Sequence, residues 1–167
     1  SDADAGEDKL EVGAKREKKS VWEIAAFYTR AFLADIKKLN IRRADVLTPA
    51  TKHIPAQIRI ILALFKKKLA YETSQAVYFH VPKFRGYAKL SRQPIAKQLA
   101  GAREEVVVDP EKKHPADFVL WFKLVGRYKN HIMHWPSPWG TGFPGWHIEC
   151  SAISSKYLGQ PFDIHTG

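Results

Sequence analysis

The chain has 167 residues, about the size of one ordinary domain, and is 45% hydrophobic and 26% charged, which argues against wholesale disorder. Lys plus Arg total 27 against 17 Asp plus Glu, so the net charge is +10, a surplus suited to a polyanionic partner such as nucleic acid, a nucleotide or an anionic surface. A single cysteine, Cys150, excludes an intrachain disulfide and with it a disulfide-stapled secreted scaffold.

The opening residues, Ser1-Asp2-Ala3-Asp4, are acidic, whereas a signal peptide opens basic and then turns apolar. Asp2-Ala3-Asp4-Ala5-Gly6 has the look of a calcium loop, but such a loop needs Gly where Glu7 stands and Glu where Gly13 stands. The longest apolar run, Ile60 to Phe65, is too short to cross a bilayer, so no membrane partner is expected and a cytoplasmic location is.

Ser20 to Leu39 is predicted to be a helix. Ser20 caps it, Glu23 completes a capping box, and Val21, Ile24, Ala25, Tyr28, Phe32, Ile36 and Leu39 form a stripe expected to be core. Lys37 and Lys38 suit the last turn, where the helix dipole favours cations. A second helix covers Thr51 to Leu69, with Ile54, Ile58, Ile61, Leu62 and Phe65 facing the core and Pro55 in the first turn. Ala70 to Val81 alternates around Ser74-Gln75 and is predicted to be a hairpin. A loop over Lys83 to Arg92 and short segments at Ile95–Ala100 and Val106–Val108 follow. Asp117 to Val125 is then expected to be a buried strand or turn.

Trp135 to Gly145 is dense in Pro, Gly and Trp and is expected to be a rigid loop of the kind that carries sites. A helix should follow Pro144 and run to Leu158, stopped by Gly159. Pro161 to His165 is a short strand candidate. The chain opens in an acidic loop and stops just after that strand, so both ends are expected to have been cut from something larger.

Three side chains stand out. Cys150 falls in the first turns of the last helix, where the dipole favours negative charge, and His147 precedes it by three residues on the same face. One His and one Cys cannot close a zinc site, and a free Cys is most often a small buried residue. His165, at the carboxyl end of the expected strand, is placed for a nucleotide or substrate. No glycine-rich phosphate loop and no nucleophile–His–acid order can be singled out.

Ser137-Pro138-Trp139-Gly140-Thr141-Gly142-Phe143-Pro144-Gly145-Trp146-His147-Ile148-Glu149-Cys150-Ser151-Ala152 resembles the signature of the cysteinyl-tRNA synthetases. The resemblance runs along essentially the whole chain: Gly6-Glu7-Asp8-Lys9, Tyr87-Ala88-Lys89-Leu90-Ser91, Gln98-Leu99-Ala100-Gly101-Ala102-Arg103, Asp117-Phe118-Val119-Leu120-Trp121 and Phe162-Asp163-Ile164-His165-Thr166-Gly167 match in order.

The resemblance implies a class I aminoacyl-tRNA synthetase, which activates an amino acid with ATP and Mg2+ and acylates the terminal ribose of tRNA. It implies an α/β fold: a partial Rossmann-like catalytic domain interrupted by an α+β insertion. Residues 1–43 would trail from the first Rossmann half, 44–135 would form the insertion, and 136–167 would start the second half. Cys150 would be a ligand of Zn2+, which also takes the thiolate of the substrate L-cysteine. Trp146 would wall the substrate pocket and His165 would approach the adenylate. Thr166 and Gly167 would bind nucleotide, and the partner would be tRNA-Cys.

The family's other zinc ligands and its His-Ile-Gly-His and Lys-Met-Ser-Lys-Ser motifs lie outside these residues, so the chain is expected to be inactive alone. Phe143 stands where the signature more usually has Arg, a change expected to weaken one polar contact near the site, and Ala88 replaces a Gly. Two alternatives stand beside this reading: a non-catalytic tRNA- or synthetase-binding module, and a ligase joining cysteine to an amino-sugar.

Overall fold

The computed structural model describes residues 9–90, 92 and 109–166. Two compact units are present, 1–48 and 49–167. Within the described residues no helix is long and apolar enough to cross a membrane. The segments expected at Ile95–Ala100 and Val106–Val108, like the acidic residues Asp2 to Asp8, lie outside the described residues.

The first unit is a pair of helices, α1 (Lys9–Glu17) and α2 (Val21–Lys38). The capping box forms as the sequence predicts: the Ser20 hydroxyl accepts from the Glu23 N–H at 3.2 Å, and the Glu23 carboxylate accepts from the Ser20 N–H at 2.8 Å. Only the start of the α2 stripe is core. Val21 and Ile24 are buried with Ala14 of α1, while Tyr28, Phe32 and Leu39 are exposed. The reason is length: the 9 residues of α1 span about 13 Å, half the reach of the 18 in α2.

The second unit is built on a four-stranded antiparallel sheet in sequential order, β1 (Ala70–Glu72), β2 (Ala76–Phe79), β3 (Phe118–Lys123) and β4 (Gly142–Pro144). With its helices this makes a mixed α/β fold. The expected hairpin is β1–β2, closed by Thr73, whose hydroxyl accepts from the N–H groups of Gln75 and Ala76. β4 lies inside the segment expected to be loop, and the Trp135–Gly142 bridge extends its pairing.

Helix α3 (Ile54–Lys66) follows a 3-10 turn over Ala50–His53, and Pro55 sits in its first turn as expected. Ile54 and Ile61 are buried; Leu62, expected in the core, is exposed, and Gln57 is buried in its place, donating to the Ala50 carbonyl at 3.1 Å. Helix α4 (Trp146–Tyr157) starts at Gly145 and ends before Gly159, which takes the left-handed backbone (φ 79°) that a glycine stop supplies.

A register shift divides the sheet's two faces. Phe79 pairs with Phe118, Tyr78 with Val119, Val77 with Trp121 and Ala76 with Phe122, so Leu120 is the extra residue of a bulge in β3. Val77, Phe79, Leu120 and Trp121 therefore join Ile54, Ile61 and Ile148 in one core beneath α3 and α4. Tyr71, Ala76, Tyr78 and Val119 pack on the opposite face.

That opposite face carries a buried polar network. Asp117, with a fully buried side chain, accepts from the Tyr71 hydroxyl at 2.7 Å and the Val81 N–H at 2.8 Å, and lies 3.2 Å from His80 Nδ1. Tyr71 also accepts from the Lys113 N–H at 2.8 Å. Burial, with the Asp117 carboxylate beside it, holds the Tyr71 hydroxyl protonated well above the ordinary value of 10.0.

Two expectations are corrected. Pro161 to His165 is not a strand: it forms no ladder with any described strand. Phe143 does not face the α3–α4 side of the sheet. Its side chain is buried on the opposite face of the sheet, its ring centroid 4.9 Å from that of Phe122 and 4.0 Å from that of His131. It pairs with Phe122 across β3–β4 and therefore shares that face, so it makes no polar contact at the site.

Candidate functional site

The N-terminal half of α4 is held on β3 by backbone contact. The Gly145 N–H donates to the Leu120 carbonyl at 3.0 Å, and a Cβ at Gly145 would overlap the Val119 carbonyl. Gly142 is equally tight: a Cβ there would overlap the Phe122 carbonyl and lie 2.6 Å from Trp121 Nε1. These two glycines let β4 and the start of α4 lie directly on β3.

Beside α4 is a cavity of about 810 Å3. Its apolar wall comes from Ile60 and Leu64 of α3, Phe79, Phe118 and Leu120 of the sheet, and Ile148 and Ile153 of α4. Its polar rim is Cys150, Ser151, Ser154, His147, His165 and Thr166, with Trp146 beside them. A mostly apolar concavity with a few convergent polar groups is the usual form of a small-molecule site.

Trp146, Cys150, His165 and Thr166 thus share one cavity, although His165 and Thr166 reach it from irregular backbone. Gly167 lies outside the described residues. Cys150 is exposed, not the buried small residue that a free cysteine most often is. Its thiol is a soft donor suited to zinc. Among the described residues no group of three or more His, Cys, Asp and Glu converges, so Cys150 offers one donor. Burial raises the neighbouring Glu149 carboxyl above its ordinary value.

The Trp- and Pro-rich segment expected to carry a site contributes nothing to the cavity lining. Trp139 stacks on Phe65 at 5.6 Å and approaches Trp121, so the segment fills the core beside α3. Sequence reading missed the opposite wall. Ile60 and Leu64 carried a usable signal, because they are four apart on one face of a predicted helix.

Trp146 is half exposed, and its ring lies 3.9 Å from that of His147, tilted by 30°. The His147 ring in turn lies 4.8 Å from Phe118.

Comparison with known proteins agrees with the reading of the signature. The family described as tRNA synthetases class I (C) catalytic domain matches residues 3–167. The chain is 50% identical over 167 residues to the cysteine–tRNA ligase of Chlorobium luteolum, covering 99% of this chain and 34% of the relative. It is 47% identical to that of Deinococcus radiodurans, covering 100% of this chain and 32% of the relative, and 44% identical to that of Thermus thermophilus, covering 99% and 34%. The chain spans about a third of the length of the curated relatives it matches. A family match over nearly every residue, with the signature's Trp146 and Cys150 on one cavity, leads to one conclusion: the chain belongs to the class I (C) tRNA synthetase catalytic-domain family.

Proposed function

We propose that this chain is the part of a cysteine–tRNA ligase that supplies one wall of the cysteine site. The intact protein activates L-cysteine with ATP and Mg2+ and transfers it to tRNA-Cys in the cytoplasm. The observation that carries the reading is the meeting of Trp146, Cys150, His165 and Thr166 at one cavity in a chain 50% identical to a cysteine–tRNA ligase.

In this reading Cys150 is one ligand of Zn2+, and the remaining ligands come from outside these residues. Zinc, when bound, offers a site that prefers thiolate sulfur to a hydroxyl, and so separates cysteine from serine. The half-exposed indole of Trp146 walls the pocket and excludes water from it. His165, at the rim, contacts the adenylate, and Thr166 and Gly167 hold the nucleotide. Residues 1–43 and 136–167 would belong to the two Rossmann halves and 44–135 to the insertion. The net charge of +10 supports a tRNA partner.

The test is a segment exchange. The matching third of the Chlorobium luteolum ligase is replaced by this chain, and cysteine-dependent ATP–pyrophosphate exchange is measured on the hybrid and on the chain alone. Exchange by the hybrid, none by the chain and loss on Cys150→Ser is the expected pattern. A hybrid that is folded but inert, or undiminished exchange with Cys150→Ser, overturns the reading.

A further inference from the structure

The contact between Trp146 and His147 is unusual for its position. Consecutive residues on a helix project about 100° apart and do not face each other. Here the two rings at the first positions of α4 lie 3.9 Å apart, only 30° from parallel. The His147 ring also lies 4.8 Å from that of Phe118, tilted by 58°. Phe118 is itself stacked on Phe79 at 5.1 Å and 19°. A line of rings therefore runs from Phe79, buried in the sheet, through Phe118 and His147 to Trp146 at the cavity.

We propose that His147 and Phe118 are positioning residues: they fix the rotamer of Trp146 and so the shape of the cavity mouth. An exposed tryptophan has three staggered χ1 wells and a broad χ2, and one ring face covered by imidazole leaves few of these states. The imidazole is placed by Phe118, whose backbone runs into the Val119 and Leu120 carbonyls that locate Gly145. Helix start and indole orientation are thus set from the same three residues of β3. His147 is solvent-exposed, so its removal takes away the contact without opening the core. The consequence for cysteine recognition rests on the reading of Trp146 as the pocket wall; the geometric claim does not.

The chain is labelled with 5-fluorotryptophan, and its five tryptophans are followed by fluorine NMR, with Trp146 assigned by Trp146→Phe. His147→Ala should move and broaden the Trp146 resonance while leaving that of buried Trp121 in place, and His147→Phe should restore it. Phe118→Leu should act like His147→Ala on Trp146. In the hybrid ligase, His147→Ala should raise KM for cysteine about tenfold with little change in kcat, and adding it to Trp146→Ala should raise KM no further. A Trp146 resonance unmoved by His147→Ala overturns the proposal. If the resonance moves but Trp146→Ala leaves KM unchanged, the positioning stands and the pocket-wall reading falls.

Discussion

Gly145 lies so close to Val119 that a single added methyl carbon would overlap the Val119 carbonyl oxygen. This contact sets where α4 begins, and hence where Trp146 and Cys150 stand relative to the sheet. The backbone of Gly145 is ordinary (φ −69°, ψ 151°), so glycine is required for space and not for conformational freedom. Gly145→Ala should therefore lower stability by about 1–3 kcal/mol, the usual cost of overpacking. Denaturant unfolding checks this. Accelerated alkylation of Cys150 in the folded variant would accompany a displaced helix start.

Phe143→Arg introduces the residue that the resemblance implies at this position, and it should destabilise this chain. Phe143 is 2% exposed between Phe122, Tyr128 and His131, with no carboxylate among these neighbours. A buried unpaired guanidinium has no compensation there, and a loss of about 3 kcal/mol or more is expected in equilibrium unfolding. Phe143→Leu should cost about half of that.

Cys150→Ser should behave in the opposite way. Cys150 is exposed, so stability should change by less than about 0.5 kcal/mol. In the hybrid ligase the same substitution should remove cysteine activation and lower bound zinc, read by metal analysis of the purified protein. A stability change without an activity change would reverse the assignment of Cys150 from site to scaffold.

The Tyr71–Asp117 pair predicts an alkaline limb in stability. The folded hydroxyl ionises above the ordinary value of 10.0, so the folded state holds its proton where the unfolded state has released it. The stabilisation is complete below that value and is lost as pH rises towards the folded one. Denaturation midpoints should fall above pH 10.0, together with the appearance of tyrosinate absorbance. Tyr71→Phe should flatten that limb and cost about 1–2 kcal/mol at neutral pH, because Asp117 and the Lys113 N–H each lose a partner. Asp117→Ala should cost about 3 kcal/mol, since it strands the Tyr71 hydroxyl and the Val81 N–H.

Local signals were legible wherever neighbours along the chain decide structure. The Ser20–Glu23 capping box, Pro55 in the first turn of α3, the β1–β2 hairpin and the Gly159 stop all follow from residues within nine positions of each other. The site signature was legible for a different reason, because Trp146 and Cys150 sit in a long ordered run of matching residues. What misled were patterns that needed a partner. The α2 stripe has the right spacing but faces a helix half its length, and Pro161–His165 has strand-like residues without a strand beside it.

By itself, then, the sequence determined the start of α2, the hairpin, the charge surplus and the family, since these depend on residue type and short spacing. Only the tertiary structure decided which side chains share the cavity. The extra residue in β3 shifts the alternation, sending Leu120 and Trp121 to the α3–α4 side and Phe122 with Phe143 to the other. The length and composition of the chain contain no trace of that shift. It arises where the β2 and β3 backbones pair across nearly forty residues, and it separates Phe143 from Cys150 although they are seven positions apart.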